Sequence, residues 1–177
     1  MASSIEGVFP ANLNEFLAEA RVATWVGDAR VSMSRDILGV KKYVYTSDKM
    51  CYVNRIMDSF SGMKAFSGFE YLFDSPFVTK TPRVSMNYSG GLHPAAFDLF
   101  GKNPEEVVFS FLKNVLRDYS KYARMGGMLV IKRNSGDLLY IDKGTREEWG
   151  CSGEEYITFG ETPIYSLKYS ATMLEFI

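Results

Sequence analysis

The sequence predicts an α+β domain: a curved antiparallel sheet with two main helices packed on one face, built by internal duplication. Three observations carry that expectation. Two stretches have helical apolar spacing, the segments between them alternate with a period of two, and one frame of residues occurs twice. Ser67-Gly68-Phe69-Glu70-Tyr71 returns as Ser152-Gly153-Glu154-Glu155-Tyr156. Pro82-Arg83-Val84-Ser85-Met86-Asn87-Tyr88-Ser89 returns as Pro163-Ile164-Tyr165-Ser166-Leu167-Lys168-Tyr169-Ser170. The common frame, S-G-x-E-Y followed by P-x-x-S-x-x-Y-S, reads as a helix-plus-meander unit used twice, at about residues 11–91 and 103–174.

The elements follow in order. Residues 1–10 read as a flexible leader and 11–177 as a single domain. Asn12 to about Thr24 is the first helix, with Leu13, Phe16, Leu17, Ala20 and Thr24 on one stripe. Asn12 is the expected cap and Glu15 completes a capping-box-like pair. Residues 28–39 have no period and read as loop. From Val40 to Phe60 alternation predicts strands around the Ser47-Asp48-Lys49 turn. The aromatic-rich stretch Phe66–Gly91 adds two strands, and Pro94 starts a short helical turn. The second long helix runs from Pro104 to about Ala123. Asn103 is its expected N-cap, Pro104 sits at N1, Glu105 and Glu106 complement the dipole, and Gly126-Gly127 is the expected stop. Its stripe is Val108, Phe111, Leu112, Val115, Leu116 and Tyr119. Met128–Ile131 and Leu138–Ile141 flank the turn Asn134-Ser135-Gly136. Glu147–Gly150, Glu154–Phe159 and Ile164–Tyr169 complete the strands. Neither half can bury its helix alone, so both helices are expected on one sheet.

Composition limits what such a domain can do. The chain has 177 residues, 46% of them hydrophobic and 15% aromatic, with a formal net charge of −1. That is ample for one core. No basic excess is present to neutralise phosphates, which argues against direct nucleic-acid binding. No apolar run approaches a membrane span, and residues 1–10 lack the basic and apolar regions of a secretory signal. A cytoplasmic setting is expected; Cys51 and Cys151 hold related places, each upstream of an S-G-x-E-Y, and read as buried free thiols, with a bridge as the alternative.

Few residues carry chemistry. Alternation puts Val84, Met86 and Tyr88 on one strand face and Arg83, Ser85, Asn87 and Ser89 on the other. That polar face reads either as a ligand-lining surface or as the solvated side of an ordinary sheet. Glu70 and Glu155 hold equivalent places in the repeat. They could pair for acid–base work, or serve only to satisfy a neighbouring Lys or backbone group. His93, the single histidine, stands before Pro94 and reads as a loop or N-capping residue; alone it cannot make a zinc site. No phosphate loop is present, no cofactor or metal is implied, and no nucleophile has a local signature. Trp25 and Trp149 each adjoin a glycine and read as core lids or as ligand platforms.

At Ala23-Thr24-Trp25-Val26-Gly27, Phe66-Ser67-Gly68-Phe69-Glu70, Ser85-Met86-Asn87-Tyr88-Ser89-Gly90 and the closing Tyr165–Leu174, the chain resembles a bacterial domain of unknown function. That family occurs alone or behind an XRE-type helix-turn-helix DNA-binding domain. Its A-T-Y-x-G carries Trp25 here in place of Tyr, and its W-S-M-N-Y-x-G carries Val84 in place of Trp. The resemblance covers roughly residues 13–174. It implies no catalytic set, only a domain that senses or binds something for the regulators it follows.

The expected function is therefore a non-enzymatic module that binds a small molecule or a protein, with Trp25, Glu70, Arg83, Asn87 and Glu155 as ligand-binding residues. The alternative is a small hydrolase- or isomerase-like enzyme using Glu70 or Glu155 with His93. Self-association into a homodimer through an exposed strand edge is compatible with both.

Overall fold

The alternating segments pair into one antiparallel sheet. The computed structural model describes residues 9–27, 32–35, 40–58, 65–78, 81–132 and 136–174. Their strands are β1 (Ser32–Arg35), β2 (Lys41–Thr46), β3 (Cys51–Asp58), β4 (Ala65–Phe73), β5 (Val84–Leu92), β6 (Met128–Lys132), β7 (Leu138–Glu147), β8 (Gly150–Phe159) and β9 (Thr162–Met173). They lie in the order β1-β2-β3-β4-β5-β9-β8-β7-β6. Among the described residues three α-helices complete the mixed α+β chain: α1 (Ala11–Arg21), α2 (Pro94–Phe100) and α3 (Pro104–Tyr119).

The strand order reads the same from either side of the central β5–β9 pair, apart from the extra strand β1. In that pair Tyr88 stands directly opposite Tyr169. Outward from it, Gly68 opposes Tyr88 and Gly153 opposes Tyr169, while Asn54 opposes Glu70 and Asp142 opposes Glu155. The glycines of S-G-x-E-Y have a steric reason. A Cβ at Gly68 would lie 2.4 Å from the Tyr88 ring, and one at Gly153 would lie 2.5 Å from the Tyr169 hydroxyl. No side chain fits beneath either ring.

Alternation sorts the residues by face. Val84, Met86 and Tyr88 of β5 and Tyr165, Leu167, Tyr169 and Ala171 of β9 are buried. They share one apolar cluster with Leu13, Phe16, Leu17 and Ala20 of α1 and with Val108, Leu112, Val115 and Leu116 of α3. Spacing of three and four places the helix residues on single stripes, so burial of that face drives each helix. The opposite face of β3–β4 carries a smaller cluster of Cys51, Val53 and Phe73. Both cysteines are buried and free. They are not counterparts: Cys51 opens β3, whereas Cys151 lies on β8 with the S-G-x-E-Y motif.

Several local expectations need correction. Residues 32–35, expected as loop, form β1 by pairing with β2; Ser-Met-Ser-Arg offers too little apolar alternation to announce a strand. The first helix begins after Pro10, which takes the N-cap position without a side-chain cap, so Asn12 lies inside it. It passes at Val22 into a π-helical turn, Val22–Val26, where Thr24 Oγ1 donates to the Ala20 carbonyl at 2.7 Å. Asn103 occupies the N-cap of α3 but makes no side-chain cap bond. α3 ends at Tyr119, earlier than expected, and the left-handed residues that follow are Arg124 (φ 59°) and Gly126 (φ 64°). Glu147–Gly150 is no separate strand: Glu148-Trp149 is the turn between the long strands β7 and β8. Pro163 is accommodated in β9 beside a register shift at Ile157/Thr158. Most of the 1–10 leader, the Asn134-Ser135 part of the second turn, and Phe60 lie outside the described residues.

Candidate ligand cavity

Two arginines, Arg21 where α1 passes into the π-helical turn and Arg124 in the turn after α3, point into the polar core. Arg21, the last residue of α1, is 5% exposed and donates through Nε to Glu70 Oε2 at 2.9 Å, through Nη1 to the Ala123 carbonyl at 3.3 Å, and through Nη2 to Met86 Sδ at 3.0 Å. Arg124 is 7% exposed and donates through Nε and Nη2 to the two oxygens of Glu155, at 3.0 and 2.9 Å. Each follows a fully buried alanine, Ala20 and Ala123. Burial works against both guanidinium charges, but the paired carboxylates outweigh it and hold each arginine above its ordinary range.

Around Glu155 the polar groups are satisfied. Tyr140 Oη donates to Oε2 at 2.7 Å and Tyr165 Oη donates to Oε1 at 2.9 Å, in addition to Arg124. Burial opposes the Glu155 carboxylate, yet Arg124 and the two phenols keep its pKa below the ordinary value. This carboxylate is fully buried.

Around Glu70 the same frame is left open. Tyr52, which opposes Leu72 as Tyr140 opposes Ile157, is fully buried, and its hydroxyl has no hydrogen-bond partner among the described residues. In the P-x-x-S-x-x-Y-S frame Val84 stands where Tyr165 does, and it has no hydroxyl. A cavity of about 320 Å³ lies on this side. Its polar wall is Arg21, Tyr52, Asn54, Glu70 and Arg124; Trp25, Tyr43, Phe66, Tyr88 and Phe109 give it aromatic walls; Lys41 and Lys113 add two ammonium groups. Lys113 Nζ sits 5.7 Å from the centre of the Trp25 ring, and Trp25 meets Phe109 edge-on at 6.4 Å. That volume falls at the small end of known ligand sites.

The family model of a domain of unknown function (DUF5680) matches residues 58–174. The chain belongs to the DUF5680 family. No curated protein and no solved structure matches it. The DUF5680 match includes Glu70, Phe66, Tyr88, Phe109, Lys113 and Arg124 of the cavity wall. Arg21, Trp25 and Tyr52 precede it, as does Ala23–Gly27, one of the stretches on which the family resemblance rested.

The five residues expected to bind a ligand do not gather at one place in this DUF5680 chain. Trp25 and Glu70 line the cavity. Glu155 is sealed beneath Arg124, Tyr140 and Tyr165 and is not part of the cavity wall. Asn87 is exposed on the other face of β5, and Arg83 pairs loosely with Asp74 at 3.6 Å. His93 takes the N-cap position of α2 and bonds through Nε2 to Ser166 Oγ at 2.9 Å, also outside the cavity wall. Sequence reasoning missed Arg21, Tyr52, Asn54 and Arg124. Two short recurrences carry their signal: Ala20-Arg21 against Ala123-Arg124, and Tyr52-x-Asn54 against Tyr140-x-Asp142. Among the described residues no group of three or more His, Cys, Asp and Glu side chains is placed to hold a metal ion. Nor is any helix there long and apolar enough to cross a membrane.

Proposed function

We propose that the chain is a small-molecule-binding module whose ligand occupies the cavity between α1, α3 and strands β2–β5. The observation that carries this reading is the Tyr52 hydroxyl, buried in the cavity wall with no partner among the described residues. A buried hydroxyl left unmatched costs about 1–3 kcal/mol, and its counterpart Tyr140 makes a 2.7 Å bond to Glu155. A bound molecule offering an acceptor would remove that cost. Trp25, Glu70, Arg21 and Tyr52 are the binding residues in this reading; Asn87 and Arg83 belong to the outer face.

The reading extends to the architecture. The two halves are copies of one helix-plus-meander unit, with both helices packed on one face of the sheet. The mirrored strand order, the Tyr88–Tyr169 register and the two Arg–Glu pairs support it. One copy has kept a closed polar core and the other has opened into a site. The resemblance to domains that follow XRE-type regulators gives occupancy a use, as a cytoplasmic sensor whose ligand state is read by a partner.

A thermal-shift screen of a metabolite library tests the binding reading. Wild type should gain stability with at least one compound, by mass action on the folded state. Trp25→Ala and Tyr52→Phe, both folded by circular dichroism, should lose most of that gain. Hits that stabilise both variants as fully as wild type would move the site elsewhere and sink the proposal.

A further inference from the structure

We infer that the cavity takes an organic acid: a carboxylate carried on a flat, one- or two-ring aromatic body. This rests on the cavity being the binding site and adds the chemical class of its ligand.

The charge of the wall gives the first half of the argument. Arg21 is matched by Glu70, and Arg124 by Glu155 behind the wall. Lys113 makes no ion pair among the described residues and sits beside the Trp25 ring. Setting Lys41 aside, the cavity wall itself carries Arg21, Arg124 and Lys113 against one carboxylate, Glu70. Glu70 is already engaged by Arg21, so a cationic ligand would find no carboxylate free to receive it. An anion would instead meet the Lys113 ammonium on the cavity wall, a charged donor with no carboxylate partner among the described residues.

The walls give the second half. Trp25, Phe66 and Phe109 form a connected edge-to-face set, with centroid distances of 6.4 Å for Trp25–Phe109 and 6.1 Å for Phe66–Phe109. Such rings favour a flat apolar body through area burial and ring geometry. A volume of about 320 Å³ leaves room for one or two rings and little more.

The test compares 2-naphthoate with its neutral isostere 2-naphthamide on the full chain. Trp149, exposed in the β7–β8 turn, is replaced by Phe so that tryptophan emission reports on Trp25 alone. The acid should quench Trp25 and bind at least about tenfold more tightly than the amide, as a charge-assisted hydrogen bond requires. Lys113→Gln should weaken the acid and leave the amide unchanged, collapsing the discrimination. Equal affinities for acid and amide would overturn the inference while leaving the cavity as a site. Failure of both probes to bind a folded protein would overturn it too. The metabolite screen with Trp25→Ala and Tyr52→Phe decides separately whether the cavity binds anything at all.

Discussion

Tyr88 and Tyr169 stand opposite each other across the central strand pair, and each phenol donates away from the pair to the strand two places out on its own side, β3 or β7. Tyr88 reaches Asn54 Oδ1 at 2.8 Å; Tyr169 reaches Asp142 Oδ1 at 2.9 Å. The two halves therefore build one polar motif with one difference in charge. A neutral amide accepts on the cavity side and a carboxyl accepts on the closed side.

That difference predicts a pH dependence. Burial, with a smaller push from Glu155, raises Asp142 from 3.8 to about 6, although the Arg124 backbone N–H, the Tyr169 hydroxyl and the Arg124 charge pull the other way. A carboxyl raised on folding binds more protons in the folded state. Its contribution is fully present below pH 3.8 and is lost as pH rises through about 6. Asp142→Asn, which copies the Asn54 side, removes this contribution. The stability of the variant relative to wild type should rise between about pH 4 and 7 by something on the order of 2–3 kcal/mol. Urea titrations across that range read it, and a difference that does not change with pH would refute it.

The two buried tyrosines of β3 and β7 should respond oppositely to loss of their hydroxyls. Tyr140→Phe breaks a bond to the charged Glu155 and should cost about 1.5–3 kcal/mol. Tyr52→Phe removes a hydroxyl that has no partner, and the ligand-free protein should be unchanged or gain up to about 1 kcal/mol. Equal losses in denaturant midpoint would mean that Tyr52 is satisfied after all.

The α3 stripe is a simpler matter of packing. Phe111 is 8% exposed within the common cluster, and Phe111→Ala should cost about 3–5 kcal/mol. An unmoved chemical-denaturation midpoint would contradict that burial.

These contrasts show where the sequence could be read and where it could not. The strands of S-G-x-E-Y and P-x-x-S-x-x-Y-S were legible because alternation reports burial directly, and Val84, Met86 and Tyr88 face inward as their spacing requires. The ends of the helices were not. Arg21 and Arg124 look like ordinary basic residues near a helix end, where a cation suits the dipole. Only the fold reveals that each turns inward onto a glutamate 49 or 31 residues away in sequence. For the same reason Asn87 drew notice over Asn54. It lies in a denser motif, but parity puts it on the outer face of β5, whereas Asn54 sits under the Tyr88 hydroxyl.

The two glutamates should also separate under the same substitution. Glu155 accepts from Arg124 twice and from Tyr140 and Tyr165 once each, with no exposure. Glu155→Gln replaces one accepting oxygen by an amide that points donors at donors and leaves a buried guanidinium unmatched. Breaking a buried ion pair in this way should cost about 3–5 kcal/mol. Glu70→Gln removes the carboxylate partner of Arg21 at the cavity wall, of which Glu70 is itself a part. The Arg21 contacts with Ala123 and Met86 survive the change. The cost should be about half that of Glu155→Gln or less, since Arg21 keeps two of its three acceptors while the amide of Glu155→Gln would face four donors. Added chloride should narrow the Glu70→Gln deficit more than the Glu155→Gln deficit: both guanidiniums border the cavity, but the charge removed at Glu70 stands on the cavity wall itself, whereas Glu155 lies behind it. Guanidinium-free urea melts with and without about 0.2 M chloride, a range that screens only exposed charges, distinguish the cases. Equal losses, both blind to chloride, would mean that the Glu70 side is as closed as the Glu155 side.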